Sequence, residues 1–280
     1  MANAKKWSSL ANAESDGNPF RHRGLVCNRL KVRALLCDYD GTLAPLGVPK
    51  ARSRIPASLA NTLTRIHKSI PVAIVTAKDY SFIRSRTPFA DAWSCVYGIE
   101  TIVKDGGRMV KGPLRDLSAA VRVVKTMPIR PCIEYKRTSE GDVCGFGVEW
   151  DKEEAPGDGV IAANISRIRA LGLQVVYDSL YPMFDVIASP SDKGVAVHDL
   201  QRMLRTRKGL VFVGDSHADD PAFQVADVGI GVLGAQRHPI LDCDYFIRNE
   251  RLEGFLSALL ENGLDFSESL PYIRTSEVSS

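Results

Sequence analysis

Residues 35–47, LLCDYDGTLAPLG, set Asp38 and Asp40 two residues apart at the end of an apolar run and then break the chain with glycine and proline. A short apolar run bounded by turn residues reads as a buried strand. Two like charges at its end ought to repel. Carboxylates gathered there need a reason, and residues far along the chain supply one.

Outward from this stretch, apolar runs alternate with helical patterns. VRALLC (32–37) is followed by Ile55, Leu59, Leu63 and Ile66 at helical spacing behind Pro56. VAIVT (72–76), a short helix from Asp79 and SCVY (94–97) come next. In the last third, FDVIAS (184–189) precedes a helix with Ala196, Leu200, Met203 and Leu204 on one face. LVFVG (210–214), a helix around PAFQVA, then DVGIGV, DYFIRN and a helix over 252–260 complete the pattern. Continuous apolar strands between helices imply an α/β fold with a doubly wound parallel sheet covered on both faces.

The middle of the chain is organised differently. A helix carrying Leu114, Leu117, Val121 and Val124 leads to PCIEYKR (131–137) and VCGFGVEW (143–150). A second helix with Ile161, Ile165 and Ile168 is followed by LQVVYDS (173–179). This order describes an α+β insert of about 70 residues, enough for a small domain. The expected division is a loosely ordered basic arm over 1–30, a core of 31–111 with 186–280, and an inserted unit of 112–185.

Composition narrows the function classes. The chain has 280 residues, 45% of them hydrophobic, and 36 basic against 33 acidic residues for a net charge of +3. No overall field of that size points to nucleic acid, and the arm offers only Trp7 and Phe20 as stacking surfaces. No run approaches the roughly 20 apolar residues of a spanning helix. The opening residues lack the apolar segment of a secretory signal. The cysteines, Cys27, Cys37, Cys95, Cys132, Cys144 and Cys243, lack zinc-site spacing, and several lie in apolar runs as free thiols. The expectation is a cytoplasmic protein with a small-molecule partner and neither nucleic acid nor membrane. Oligomeric state is not legible.

Ligands of an open parallel sheet bind beyond the carboxyl ends of its strands. Asp38 and Asp40, Thr76, Lys193, and Asp215 with Asp219 all follow strand candidates. Each has an ordinary reading: Asp40 in a turn with Gly41 and Thr42, Thr76 as a helix cap, the later aspartates at a helix N-terminus. Lys193 resists one, because a cation in the first turn of a helix opposes the macrodipole. Together they suit phosphoryl transfer. Asp38 can attack phosphorus, Asp38 and Asp215 can share magnesium, and Asp40 can exchange a proton with the leaving oxygen and then water while its carbonyl ligates the metal. Gly41, Thr42 and Thr76 offer donors to the phosphate, and Lys193 offsets its charge.

In this order and rough spacing, DYDGT, the strand-end threonine, SDKG (191–194) and GDSHADD (214–220) resemble the four motifs of the haloacid dehalogenase superfamily of phosphatases. The insert lies where one subclass carries an α/β cap. DYDGTLAPL and GDSHADDPAF are similar to the trehalose-6-phosphate phosphatases, and IEYK (133–136) resembles their cap motif. The resemblance implies a Rossmann-like core, magnesium held by Asp38, Asp40, Asp215 and Asp219, and sugar contacts from Glu134 and Lys136. For that last pair the alternative is a solvated ion pair on a cap strand. Ser216 and Ala218 depart from the relatives, and their His-Tyr-Arg tripeptide does not follow Lys136. The implied function is hydrolysis of a sugar phosphate through an aspartyl-phosphate, on trehalose 6-phosphate, glucosyl- or mannosyl-3-phosphoglycerate, sucrose 6-phosphate or a hexose phosphate. A phosphomannomutase-like transferase and a binding module without turnover are the alternatives.

Overall fold

The computed structural model describes residues 29–275 except 129, 152, 154 and 235–240, so the basic arm expected over 1–30 lies almost wholly outside the described residues. Strands β1 (Leu30–Lys31), β2 (Ala34–Cys37), helix α1 (Ala57–His67), β3 (Val72–Val75), α2 (Tyr80–Ile83), β4 (Ala92–Cys95), β5 (Glu100–Val103) and β6 (Arg108–Val110) come first. Helix α3 (Ser118–Lys125), β7 (Cys132–Arg137), β8 (Val143–Glu149), α4 (Asp158–Ala170), β9 (Gln174–Tyr177) and β10 (Met183–Ile187) follow. The chain continues with α5 (Lys193–Met203), β11 (Leu210–Gly214), α6 (Asp220–Val225), β12 (Val228–Leu233), β13 (Tyr245–Arg248), α7 (Leu252–Glu261), β14 (Asp265–Phe266) and β15 (Arg274–Thr275).

Among the described residues the larger sheet runs β15-β13-β12-β11-β2-β3-β4-β5-β6. Its centre, from β13 to β4, is parallel, and antiparallel strands close both edges. Alternating side chains of one strand serve two layers. Leu35 and Cys37 of β2 join Leu63 and Ile66 of α1 and Phe255 and Leu259 of α7. Ala34 and Leu36 meet Val197 and Leu200 of α5 and Phe223 of α6. Burial on both faces explains why these strands read as continuous apolar runs.

A second, antiparallel sheet runs β7-β8-β10-β9. Its outer face carries Phe146, Val148, Phe184 and Val186 against Val121 and Val124 of α3 and Ile161, Ile165 and Ile168 of α4. Here the structure corrects the sequence reading. The strand in FDVIAS, expected to lead into the parallel sheet, pairs with β8 and β9 instead and carries the second sheet to Ile187, past the boundary expected at 185. An apolar run cannot reveal which sheet receives it, because pairing is a long-range choice. Smaller differences have local causes. Helix α3 begins after Leu114 and Leu117, where Asp116 accepts from the Ser118 N–H at 2.9 Å. Strand β4 stops at Cys95 because Val96 and Tyr97 are left-handed, and the hairpin of β5 and β6 turns on Gly106.

Candidate active site

Beyond β2 the Asp38 N–H still donates to the Val213 carbonyl at 2.8 Å, so Asp38 continues the strand direction of the parallel ladder. The chain then reverses tightly: Leu43 and Ala44 N–H groups both return to the Tyr39 carbonyl. Gly41 is required at this turn. Its φ is +81°, and a Cβ there would stand 2.0 Å from Asp215 Oδ2. Gly214 serves the neighbouring strand end in the same way, since a Cβ on it would come 2.5 Å from Asp219 Cγ. Missing side chains make room for carboxylates at both places.

Asp38, Asp215 and Asp219 are all buried, and one oxygen of each lies within 4.8 Å of the others. Thr42 Oγ1 donates to Asp215 Oδ1 at 3.1 Å. Asp219 Oδ2 accepts from the Asp215 and Ser216 N–H groups and the Ser216 hydroxyl, all at 3.0–3.1 Å. Ser216 is thereby accounted for as a cap of the short turn that carries Asp219.

Lys193 opens α5, whose N-cap is Asp192 with its side chain accepting from Val195 N–H at 2.8 Å. The Lys193 ammonium does not face the helix end alone: its Nζ lies 2.9 Å from Asp38 Oδ1 and 2.6 Å from Asp219 Oδ1. Because β10 belongs to the second sheet, Lys193 reaches the site from a helix packed on the larger sheet, not from the end of one of its strands.

These charges set one another. Burial, opposed by Lys193, pushes the Asp38 carboxyl up to about 7. Burial followed by the charges of Asp38 and Asp219 holds Asp215 well above the carboxylate range. Burial pulls Lys193 down, but Asp219 and Asp38 outweigh it and keep it above an ordinary lysine. Fully ionised, three buried carboxylates against one buried ammonium would carry excess negative charge, which protons relieve unless a cation does. A hard, oxygen-seeking divalent cation fits that donor set. Asp38 and Asp215 are the better donors, since both oxygens of Asp219 are already engaged.

Asp40 does not add its carboxylate to the cluster. Its Oδ2 lies 3.4 Å from Lys78 Nζ, at the edge of the site. Thr76 is buried immediately after β3, and its hydroxyl accepts from the Lys78 N–H at 3.1 Å. Asn249, after β13, donates to the Gly41 and Thr42 carbonyls at 3.0 and 3.1 Å. The parallel sheet therefore brings the first, second and fourth motifs to one edge, as expected, and α5 completes them.

Glu134 and Lys136 lie on the face of the second sheet turned toward this edge, and they do not pair with each other. Glu134 is half-exposed and paired with Lys50. Lys136 is buried, 2.7 Å from Asp185, and donates to the Ala77 carbonyl at 2.9 Å. They line a cleft with Lys78, Phe82, Glu149 and Asp185. Lys78, Asp185 and Tyr181 escaped the sequence reading. Tyr181, in the turn before β10, is pushed up to about 12 by burial and then by Asp215, which puts it within the field of the carboxylates. No motif marks these residues, although Lys78 follows Thr76 closely enough to have been suspected.

No protein-family profile and no curated protein matches the chain. Solved structures do. The C-terminal domain of a trehalose-6-phosphate phosphatase from C. albicans superposes with a TM-score of 0.66 at 14% identity, covering 83% of this chain and 93% of that one. A haloacid dehalogenase-like hydrolase from Bacteroides thetaiotaomicron gives 0.64 at 17% identity over 83% and 100%. A sugar phosphatase of haloacid dehalogenase subclass IIB gives 0.60 at 16% over 83% and 100%. The chain shares their fold. No helix among the described residues is long and apolar enough to cross a membrane.

Proposed function

We propose that the chain is a magnesium-dependent phosphomonoester hydrolase acting on a sugar phosphate through an aspartyl-phosphate on Asp38. The observation that carries this reading is the group of three buried carboxylates held with Lys193 at the strand ends. Such a group has no packing purpose, since burying charge costs several kcal/mol or so per ion. The shared fold with phosphatases supports it.

In this reading Asp38 attacks phosphorus, and the proton needed by the leaving oxygen comes from Asp40, which later accepts one from the hydrolytic water. Lys193 and Thr76 orient the phosphate oxygens, whereas Thr42, whose hydroxyl donates to Asp215, and Gly41, whose N–H donates to the Ala44 carbonyl, are spent on the turn beneath them rather than on the phosphate as the sequence suggested. Asp38, Asp215 and the Asp40 carbonyl would hold magnesium, with Asp219 behind them, and the ion when bound offsets phosphate charge. The second sheet acts as a cap that excludes water. A cleft mixing the acids Glu134 and Glu149 with the lysines Lys78 and Lys136 suits hydroxyl groups that both donate and accept. That favours a polyhydroxylated leaving group. Trehalose 6-phosphate is the first candidate on motif resemblance, ahead of glucosyl- or mannosyl-3-phosphoglycerate, sucrose 6-phosphate and hexose phosphates.

The test is phosphate release from p-nitrophenyl phosphate and a panel of these sugar phosphates, with magnesium and with a chelator. Magnesium-dependent release that is faster on one sugar phosphate than on the aryl ester is expected. Transfer to an acceptor sugar without free phosphate would replace the hydrolase by a mutase. No turnover of any ester would leave a binding module.

A further inference from the structure

Tyr97 has a backbone that its own side chain disfavours. Val96 and Tyr97 have φ of +49° and +56°, and Gly98 follows at +89°. Left-handed conformations of non-glycine residues persist only where their surroundings over-determine them, and they cluster at functional sites. The restraints here are specific. Val96 N–H donates to the Lys78 carbonyl and Tyr97 N–H to the Thr76 carbonyl, both at 3.1 Å.

The Tyr97 side chain is buried, and its hydroxyl donates to Asp185 Oδ2 at 2.6 Å. The other oxygen of Asp185 lies 2.7 Å from Lys136 Nζ, and Lys136 donates to the Ala77 carbonyl at 2.9 Å. A closed circuit results. It leaves residues 76–78 through Tyr97, crosses to β10, steps to β7 and returns to residue 77. Gly147 of β8, which lies between the two strands, keeps the path clear, because a Cβ there would stand 2.9 Å from Asp185 Oδ1.

Burial and the neighbouring Asp185 charge hold the Tyr97 phenol well above its ordinary value, so it remains a donor. A buried ion pair contributes little net stability relative to apolar residues of the same volume, whereas it specifies geometry in some systems. We propose that Tyr97 is a positioning residue: through Asp185 it sets Lys136 on the turn at residues 76–78 and so fixes the cleft of the second sheet, which meets only the leaving group, relative to the carboxylates. The consequence for catalysis rests on the phosphatase reading, but the tether itself does not.

The test compares wild type, Tyr97→Phe, Asp185→Asn and the double variant in the full chain. Hydrogen–deuterium exchange is followed together with kcat/KM for p-nitrophenyl phosphate and for the fastest sugar phosphate of the panel. In Tyr97→Phe, amides of β7 and of residues 76–78 should exchange about tenfold faster, the scale of one lost hydrogen bond to a charged group. The double variant should exchange no faster there than Asp185→Asn. The sugar phosphate should lose about tenfold in kcat/KM while the aryl ester stays within about twofold. Wild-type exchange in Tyr97→Phe overturns the tether, and equal kinetic losses on both esters overturn the positioning role. If wild type releases phosphate from neither ester, the phosphatase reading fails while the exchange pattern still decides the tether.

Discussion

Lys193 Nζ stands 2.9 Å from Asp38 Oδ1 although the two residues are far apart in the chain and come from different kinds of element. The ammonium sits at a helix N-terminus, where the macrodipole opposes it, and Asp38 with Asp219 supplies the compensation. Seen from sequence, replacing Lys193 costs the helix nothing. The structure reverses that expectation for the fold. Lys193→Met should lower stability by about 3–5 kcal/mol near pH 8, the range for breaking a buried charge pair. Turnover should fall by roughly two to three orders of magnitude. Thermal melts at pH 5.5 and 8 check it: the loss should be smaller at the lower pH, where the Asp38 carboxyl takes up a proton.

The same carboxylates predict how stability depends on pH in chelator. Asp38 is raised to about 7 and Asp215 is raised well above its ordinary value, both first by burial. The folded chain then holds protons that the unfolded chain releases near pH 4. Their stabilisation is complete below that value and is lost as pH rises above it, for Asp38 through about 7. The melting temperature without metal should therefore fall between pH 5.5 and 8. Added magnesium should raise it more at pH 8 than at pH 5.5, because protons compete for the ligating oxygens. A magnesium shift independent of pH would contradict this.

Asp38→Asn separates chemistry from folding. An amide cannot form the acyl-phosphate, so phosphate release should vanish. The variant should melt no lower than wild type in chelator at pH 8, since it removes one of three crowded buried carboxylates and Lys193 keeps Asp219. Turnover near the wild-type rate would remove Asp38 from the role of nucleophile.

Gly41→Ala tests the turn. The left-handed backbone alone costs an alanine about 1–2 kcal/mol, and its Cβ would displace the Asp215 carboxylate. The variant should fold, melt lower and show little magnesium-induced shift. An unchanged magnesium shift would mean that Asp215 is not a ligand.

Glu134 and Lys136 should respond differently, although the sequence presents them as a matched pair. Glu134→Gln breaks a half-exposed ion pair with Lys50, contributing about 0–1 kcal/mol, so stability should barely move while KM for the sugar phosphate rises. Lys136→Met strands the buried Asp185 and should destabilise by several kcal/mol or so. Melts and Michaelis constants on both variants distinguish the two.

Local chemistry made much of this protein legible. The apolar runs that become β2, β3, β11 and β12 are buried on both sides, and that burial writes itself into consecutive residues. The motifs around Asp38, Gly41, Asp215 and Asp219 were readable because strand end, turn glycine and carboxylate lie within a few positions of one another. Only the tertiary structure decided which sheet receives the strand in FDVIAS, which anions meet Lys193, and that Lys136 is tied to Asp185 and Ala77 while Glu134 stays at the cleft. Those outcomes depend on strand pairing between distant segments. A one-residue change of register turns every side chain to the other face, so neither composition nor spacing can specify them.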